Sequence, residues 1–289
     1  MKLSIIFITY NRGDELIRAI ESCFPINVKE YEIIIWDNNS VEEEKDKILN
    51  YVNSKDKKIK YFYSEQNLGV AGGRNEAWKK SLGDFVFFLD DDAVIQSEKF
   101  FPKIIDYMNE HKNVGAVACN VFEPKTNNKL IPKDQYKTND GVIQVLSYIG
   151  CAFMLRRSSI KTENLYPEKL LFGSEELYSS LIIWNDGFEV HLYNEGIIFH
   201  MPSVINRYSG NKRAMNFIIN GYIVRLLTYP FWLVPILKFT LLLRIKNHKL
   251  NNNECRLLIK ERYDIKEIHR ISNQTTLMLT KKYGIKKMI

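Results

Sequence analysis

The stretch Phe85-Val-Phe-Phe-Leu-Asp-Asp-Asp-Ala-Val-Ile95 decides the architecture of the chain. Phe85 to Leu89 are apolar without interruption, the pattern of a strand buried on both faces inside a parallel sheet. Asp90, Asp91 and Asp92 follow at once, and apolar residues resume behind them. Adjacent carboxylates repel unless water or a cation lies among them, and Asp is a poor strand former. At the carboxyl end of a buried strand, where open α/β sheets bind their ligands, such a triplet points to a divalent metal. A solvated acidic turn is the competing reading. The flanking apolar residues, which confine the charges, weigh against it.

Upstream the same plan recurs. Leu3 to Ile8 is apolar and closes at Thr9-Tyr10-Asn11-Arg12-Gly13, after which a helix is expected with Asp14 and Glu15 in its first turn. Tyr31 to Trp36 stops at Asp37-Asn38-Asn39-Ser40, with Ser40 as a predicted helix cap and Glu43 as its capping-box partner. Ile59 to Tyr63 leads to Gln66-Asn67-Leu68-Gly69, and Val70 to Asn75 opens a helix ending near Ser81. This alternation predicts an α/β fold, a mostly parallel sheet with right-handed crossovers and flanking helices. Its strand ends share one edge, so Thr9 to Arg12, Asp37 and Asp90 to Asp92 should converge on one crevice. Asp37 suits a base N–H or a ribose hydroxyl. Gly69 to Arg74, at a helix N-terminus, suits a nucleotide phosphate, although Gly72 and Gly73 would equally allow close helix–sheet packing. The acidic triplet suits Mg²⁺ or Mn²⁺ against a diphosphate. Together these describe a nucleoside diphosphate site. With neither GxGxxG nor GxxxxGK[ST] present, dinucleotide oxidoreductases and P-loop enzymes are disfavoured.

Composition narrows the setting. The 4 cysteines are scattered without CxxC spacing, which argues against a structural zinc site and for a reducing compartment. No secretory signal pattern opens the chain, so a cytoplasmic location is expected. The net charge of +7 conceals a division: the basic excess belongs to the residues after about 205, and the part before them is net acidic.

Downstream, Ser97 is a predicted cap for a helix reaching Glu110, Val114 to Cys119 a strand, and 120–139 a surface loop. Apolar residues return from Val142 to Leu155 around Gly150. Residues 171–187 promise another helix, with Ser174 at its start, Glu175 and Glu176 in the first turn and Gly187 as its stop. From the residues alone, the two glutamates either complement the helix dipole or perform chemistry. Two short strands, Glu189 to Tyr193 and Ile197 to Phe199, follow, and His200 closes the second as a ligand or as a hydrogen-bonded structural residue. Past 205, Arg207, Lys212 and Arg213 form a basic segment suited to closing over a diphosphate. Phe217 to Leu243 is strongly apolar, but its longest uncharged piece, Leu226 to Leu237, is too short to span a bilayer. It would lie in a membrane interface, pack on the preceding domain or form a homodimer contact. Asn251 to Lys282 reads as a basic helix, with no motif for nucleic-acid binding.

The order Ser4-Ile-Ile-Phe-Ile-Thr-Tyr-Asn-Arg12, Ile35-Trp-Asp-Asn-Asn-Ser40, Asn67-Leu-Gly-Val-Ala-Gly-Gly-Arg-Asn75 and Phe88-Leu-Asp-Asp-Asp92 resembles the family 2 glycosyltransferases. The resemblance extends over roughly residues 3–200. It implies the GT-A fold in 1–205, with 206–289 as a helical extension, and an inverting, metal-dependent transfer from a UDP- or dTDP-sugar. The acceptor it implies is a saccharide or lipid-linked saccharide in cell-surface polysaccharide synthesis, reached from the cytoplasm or the inner membrane face. By the same resemblance Thr9, Tyr10 and Arg12 line the nucleoside pocket, Asp37 meets the base, and Gly69 and Arg74 face the nucleotide. Asp90 and Asp92 form the Asp-x-Asp motif, with Asp90 near the ribose, Asp91 at the variable position, and Asp92 and His200 on Mn²⁺ or Mg²⁺. Glu176 is the expected general base, with Glu175 as its rival. Two other classes compete: a sugar-phosphate nucleotidyltransferase, which lacks its Gly-rich loop here, and a non-catalytic nucleotide-sugar-binding or scaffold protein.

Overall fold

The computed structural model describes residues 2–55, 57–202 and 210–289. Among them, strands form an 11-stranded sheet whose main path runs β3-β2-β1-β4-β10-β6-β11-β9-β8. The parallel part is β1 (Lys2–Thr9), β2 (Glu30–Asp37), β3 (Ile59–Tyr63) and β4 (Phe85–Leu89). β5 (Ala93–Ile95), β6 (Val114–Glu123), β7 (Asn128–Leu130), β8 (Gln135–Lys137), β9 (Ile143–Val145), β10 (Ala152–Arg156) and β11 (Glu189–His200) complete it. β10 lies antiparallel between β4 and β6, so the sheet is mixed, as expected.

The β4 side chains explain its unbroken apolar run. Phe85, Phe87 and Leu89 enter one core with α1 (Gly13–Glu21), α2 (Glu42–Asn53) and α4 (Phe100–Glu110). Val86 and Phe88 enter the other, with α3 (Gly69–Lys80), α5 (Glu175–Asn185) and α6 (Gly210–Thr228). Both faces of the strand are therefore dry, and only its end reaches polar surroundings.

Several local expectations are corrected. Ser40 caps no helix: α2 starts after Val41, and Ser40 Oγ accepts from Asn11 N (2.8 Å) instead. Ser97 accepts from Ile197 N (2.8 Å) while α4 begins after Lys99. Ser174 precedes α5 but does not cap it by its side chain, which donates to the Phe217 carbonyl (3.2 Å). The two late strands are one, β11, with an irregularity between Tyr193 and Ile198. The 120–139 loop carries β7 and β8.

The expected basic tail helix is broken into α8 (Asn252–Arg262) and α9 (Asn273–Tyr283), ahead of the short α10 (Ile285–Met288). α6 is buried nearly all round, and its Ile219, Ile223 and Leu227 share a core with Phe153 and Val86 of the sheet. α7 (Val234–Asn247) packs beside it through Leu237, Leu241 and Ile245. The predicted boundary near 205 and the basic residue Arg207 lie outside the described residues. Lys212 and Arg213 stand exposed in the first turn of α6. No described helix is long and apolar enough to cross a membrane.

Candidate active site

Parallel pairing carries Thr9, Asp37 and Asp90 to one edge, because β1 joins β2 on one side and β4 on the other. The antiparallel β10 starts where β4 ends, and Asp90 N donates to the Cys151 carbonyl (2.9 Å). β11 finishes opposite β5, with His200 in register with Ala93 and Met201 N donating to Asp92 O (2.8 Å). Two hundred residues of sequence are thereby folded onto one rim.

Each acidic residue of the triplet has a distinct environment. Asp91, expected at the variable position of the motif and among the nucleotide-binding residues, is the anchor: it accepts from Thr9 Oγ1 (2.9 Å) and Arg12 Nη1 (3.1 Å). Burial pushes its carboxyl up to about 7, against the pull of Arg12. Thr9 is thus committed to Asp91, while Tyr10 is half-buried beside it. Asp92 Oδ1 lies 3.2 Å from His200 Nε2, and its Oδ2 lies 3.8 Å from Arg12. Asp90 is the most open of the three and meets Arg74.

For a divalent cation, one donor atom each from Asp90, Cys151 and His200 lies within 4.8 Å of the others. Carboxylate and imidazole donors fit Mn²⁺ well, and a partly open carboxylate edge suits Mg²⁺. The thiol is a softer donor than either ion prefers. Cys151 was not among the residues expected here. Burial and then the Asp90 and Asp92 charges push its thiol well above its ordinary range. Asp92, expected with His200 on the metal, is not in this trio but stands against His200 at its edge.

Arg74, expected to face the nucleotide, is bonded within the protein. Its side chain is 4% exposed and donates to Asp90 Oδ1 (2.9 Å) and the Gly150 carbonyl (2.7 Å). Its other nitrogen lies 3.6 Å from both Glu175 and Glu176. One guanidinium therefore ties the acidic strand end to the start of α5. Glycine at 150 leaves room for this packing: a Cβ there would meet Glu176 Oε1 and the Arg74 guanidinium, so one of these side-chain ends would have to move.

The two glutamates are not equivalent. The Glu175 side chain is 2% exposed, and Glu176 is 18% exposed. Burial, reinforced by Glu176, pushes the Glu175 carboxyl up to about 8, so it is largely protonated near neutrality. Glu176 is raised by burial and pulled back by Arg74. A group that takes a proton from an incoming hydroxyl must be both reachable and ionised, and Glu176 meets both conditions better.

Two further groups expected at the nucleotide have partners within the protein. Asp37, expected to meet the base, is fully buried and accepts from Ser40 N (2.8 Å) and Tyr61 OH (2.7 Å). The N-terminus of α3 is not open to a phosphate, because Val70 N (2.6 Å) and Ala71 N (3.4 Å) both donate to the Leu171 carbonyl. Gly69, at φ +71°, allows that approach, since a Cβ would meet Leu171 O at 2.7 Å. Gly73 lies as close to Asn38 and Ile8. The glycines serve packing.

The loop ahead of α5 is held from the far end of the chain. Leu171 (φ 53°), Gly173 (φ 96°) and Ser174 (φ 69°) all occupy left-handed backbone, which is costly for the non-glycine pair. Asn220 Nδ2 donates to the carbonyls of Leu170 (2.8 Å), Phe172 (2.8 Å) and Gly173 (3.0 Å). Asn220 Oδ1 accepts from Arg262 of α8 (2.8 Å), which also donates to Asn216 (2.8 Å). The only sequence signal for this brace is a polar pair, Asn216 and Asn220, spaced one turn apart beside an apolar run.

Residues 4–163 match the family model described as glycosyl transferase family 2. An uncharacterized protein of Haemophilus influenzae is 30% identical over 57% of this chain and 92% of its own length. The UDP-Glc:alpha-D-GlcNAc-diphosphoundecaprenol beta-1,3-glucosyltransferase of Escherichia coli is 29% identical over 45% of this chain. The match spans about half (49%) of that enzyme and 29% of an uncharacterized glycosyltransferase of Rickettsia conorii. TarS of S. aureus, solved with UDP-GlcNAc, superposes at TM-score 0.60 and 18% identity over 96% of this chain and 76% of that one. A mannosyltransferase from Pyrobaculum calidifontis, solved with GDP-Man and Mn²⁺, gives 0.62 and 14% over 96% and 78%. The matched segment holds the Asp90–Asp92 triplet and Arg74 but ends before Glu175, Glu176 and His200. The chain belongs to glycosyl transferase family 2 and has its GT-A fold.

Proposed function

We propose that the protein transfers a sugar, with inversion, from a UDP- or dTDP-sugar to a saccharide or lipid-linked saccharide in cell-surface polysaccharide synthesis. The observation that carries this reading is the Arg74 bridge, which holds the acidic strand end and Glu176 in one assembly. Glu176 takes the proton of an acceptor hydroxyl as its oxygen attacks the anomeric carbon, while the bond from that carbon to the diphosphate breaks on the opposite face. Glu175, held protonated, adds no repulsion to the charge that Glu176 must carry. Asp90, Asp92, His200 and Cys151 would hold Mn²⁺ or Mg²⁺, whose chemistry when bound is to neutralise the departing diphosphate. Thr9, Tyr10 and Arg12 flank the nucleoside side of the rim, with Asp91 fixing Thr9 and Arg12. Support for the donor comes from the similarity to proteins solved with UDP-GlcNAc and GDP-Man, and support for the acceptor from a relative named for a diphosphoundecaprenol substrate.

Calorimetry with UDP and with dTDP, each with and without Mn²⁺, tests the donor half. Binding that strengthens with Mn²⁺ is expected. Equal, negligible heats in all four titrations would remove the basis of the proposal. Release of free sugar from a bound donor separates an enzyme from a non-catalytic binder of the same fold.

A further inference from the structure

We propose that the outward face of α7, with the preceding turn, is a docking surface for an anionic lipid bilayer. α7 is apolar on two sides. Leu237, Leu241 and Ile245, spaced by four, face the protein, whereas Trp232, Ile236, Phe239, Leu242 and Leu243 face outward. Phe231 is 71% exposed and Leu242 60% exposed, and these outward residues recur at helical spacing as one stripe. A water-facing helix side normally carries charges, so a stripe of this kind marks an interaction surface.

Charge selects the occupant. From Phe231 to Asn253 the chain has no acidic residue, while Lys238, Lys246 and Lys249 stand exposed along and beyond the stripe. Arg270 lies over the Phe231 ring at 3.9 Å, adding a cation at the other end. Large apolar side chains with cations at their margin match the boundary between acyl chains and anionic headgroups, where each basic residue contributes a similar attraction. At 14 residues and with Lys238 inside it, α7 lies along such a surface and cannot cross it. Leu241 and Arg244 line a small cleft with Ile218 and Tyr222, so α7 runs back along α6 toward its start. There the Phe217 carbonyl meets Ser174, beside Glu175 and Glu176.

Trp232 supplies a direct readout, because Trp36, Trp78 and Trp184 are buried and Trp232 is exposed. The full chain is mixed with vesicles of phosphatidylcholine and with vesicles containing phosphatidylglycerol. Expected are co-sedimentation with the anionic vesicles that weakens with salt, a blue shift of Trp232 emission, and its quenching by brominated acyl chains. F239E and L242E should each weaken partitioning at least about tenfold. K238Q combined with K246Q should weaken it on the order of tenfold or more on anionic vesicles, with little change on neutral ones. All these side chains are exposed, and circular dichroism with thermal unfolding checks that the variants remain folded. No partitioning onto anionic vesicles at low salt, or F239E and wild type partitioning alike, overturns the proposal. So does a dimer in sedimentation velocity that L242E dissociates, since the face would then be occupied by a second copy. The vesicle measurement needs no donor, so it stands or falls separately from the transferase reading.

Discussion

Replacing Arg74 by methionine keeps much of the side-chain volume and removes a cation that faces Asp90, Glu175 and Glu176. Breaking a buried ion pair from one side costs about 3–5 kcal/mol, because the remaining charge stays desolvated. Here the carboxyls can escape by taking up protons, so the cost must depend on pH. Glu175 already sits near 8 with Arg74 present, and Arg74 pulls both glutamates downward. Without it their folded-state values rise further, while the unfolded chain titrates near the ordinary ~4.3. The folded variant then holds more protons than the unfolded one at neutrality, so its stability falls as pH rises. The slope is about 1.4 kcal/mol per pH unit for each extra proton held. Urea unfolding of R74M and wild type at pH 6 and pH 8 measures this directly. The variant's deficit should be about 3 kcal/mol or more at pH 8 and clearly smaller at pH 6. A deficit under about 1 kcal/mol, or one equal at both pH values, would refute the view of Arg74 as the counter-ion of this cluster. R74K should fall between the two, keeping the charge but losing the fork that reaches both Asp90 and the Gly150 carbonyl.

Other outcomes follow from the same geometry. E176Q should lower transfer by about 10²–10⁴-fold while leaving UDP affinity unchanged, and undiminished turnover would reassign the base. The acid limb of the wild-type pH–rate profile should lie above the ordinary carboxylate range, because burial raises Glu176 and transfer needs it ionised. N220A should destabilise by about 1–3 kcal/mol and lower kcat more than nucleotide affinity, since it frees the carbonyls of the loop ahead of Glu175. G150A should lower transfer by displacing the Glu176 carboxyl or the Arg74 guanidinium. G187A meets no neighbouring atom but stands at φ +84°, so it should cost about 1–2 kcal/mol of stability through backbone strain while leaving Glu176 in place.

Much of the architecture is legible because it follows from local chemistry. Unbroken apolar runs ending in polar residues mark the buried parallel strands, and parallel strands of similar length must end on a shared edge. Phe85 to Asp92 carries both facts at once, which is why the fold class and the gathering of Thr9, Asp37 and Asp90 on one rim could be read early. Helix starts were harder. Ser40, Ser97 and Ser174 all stand where a cap is expected, yet each side chain bonds across the fold to a group 29 to 100 residues away. A hydroxyl accepts or donates wherever a partner arrives, and local spacing does not specify the partner.

The sequence by itself determined which chemical groups the site holds: acidic residues at a strand end, a glutamate pair opening a helix, and an arginine behind a glycine pair. Only the tertiary structure decided how their charges are shared. Asp37 is consumed by Tyr61 and Ser40, the α3 amides by Leu171, and Arg74 by three carboxylates drawn from β4 and α5. The physical reason is that motif spacing constrains neighbours within a few residues. Desolvation and ion pairing depend on whatever the rest of the chain brings close, and here that includes Asn220 and Arg262 from its far end.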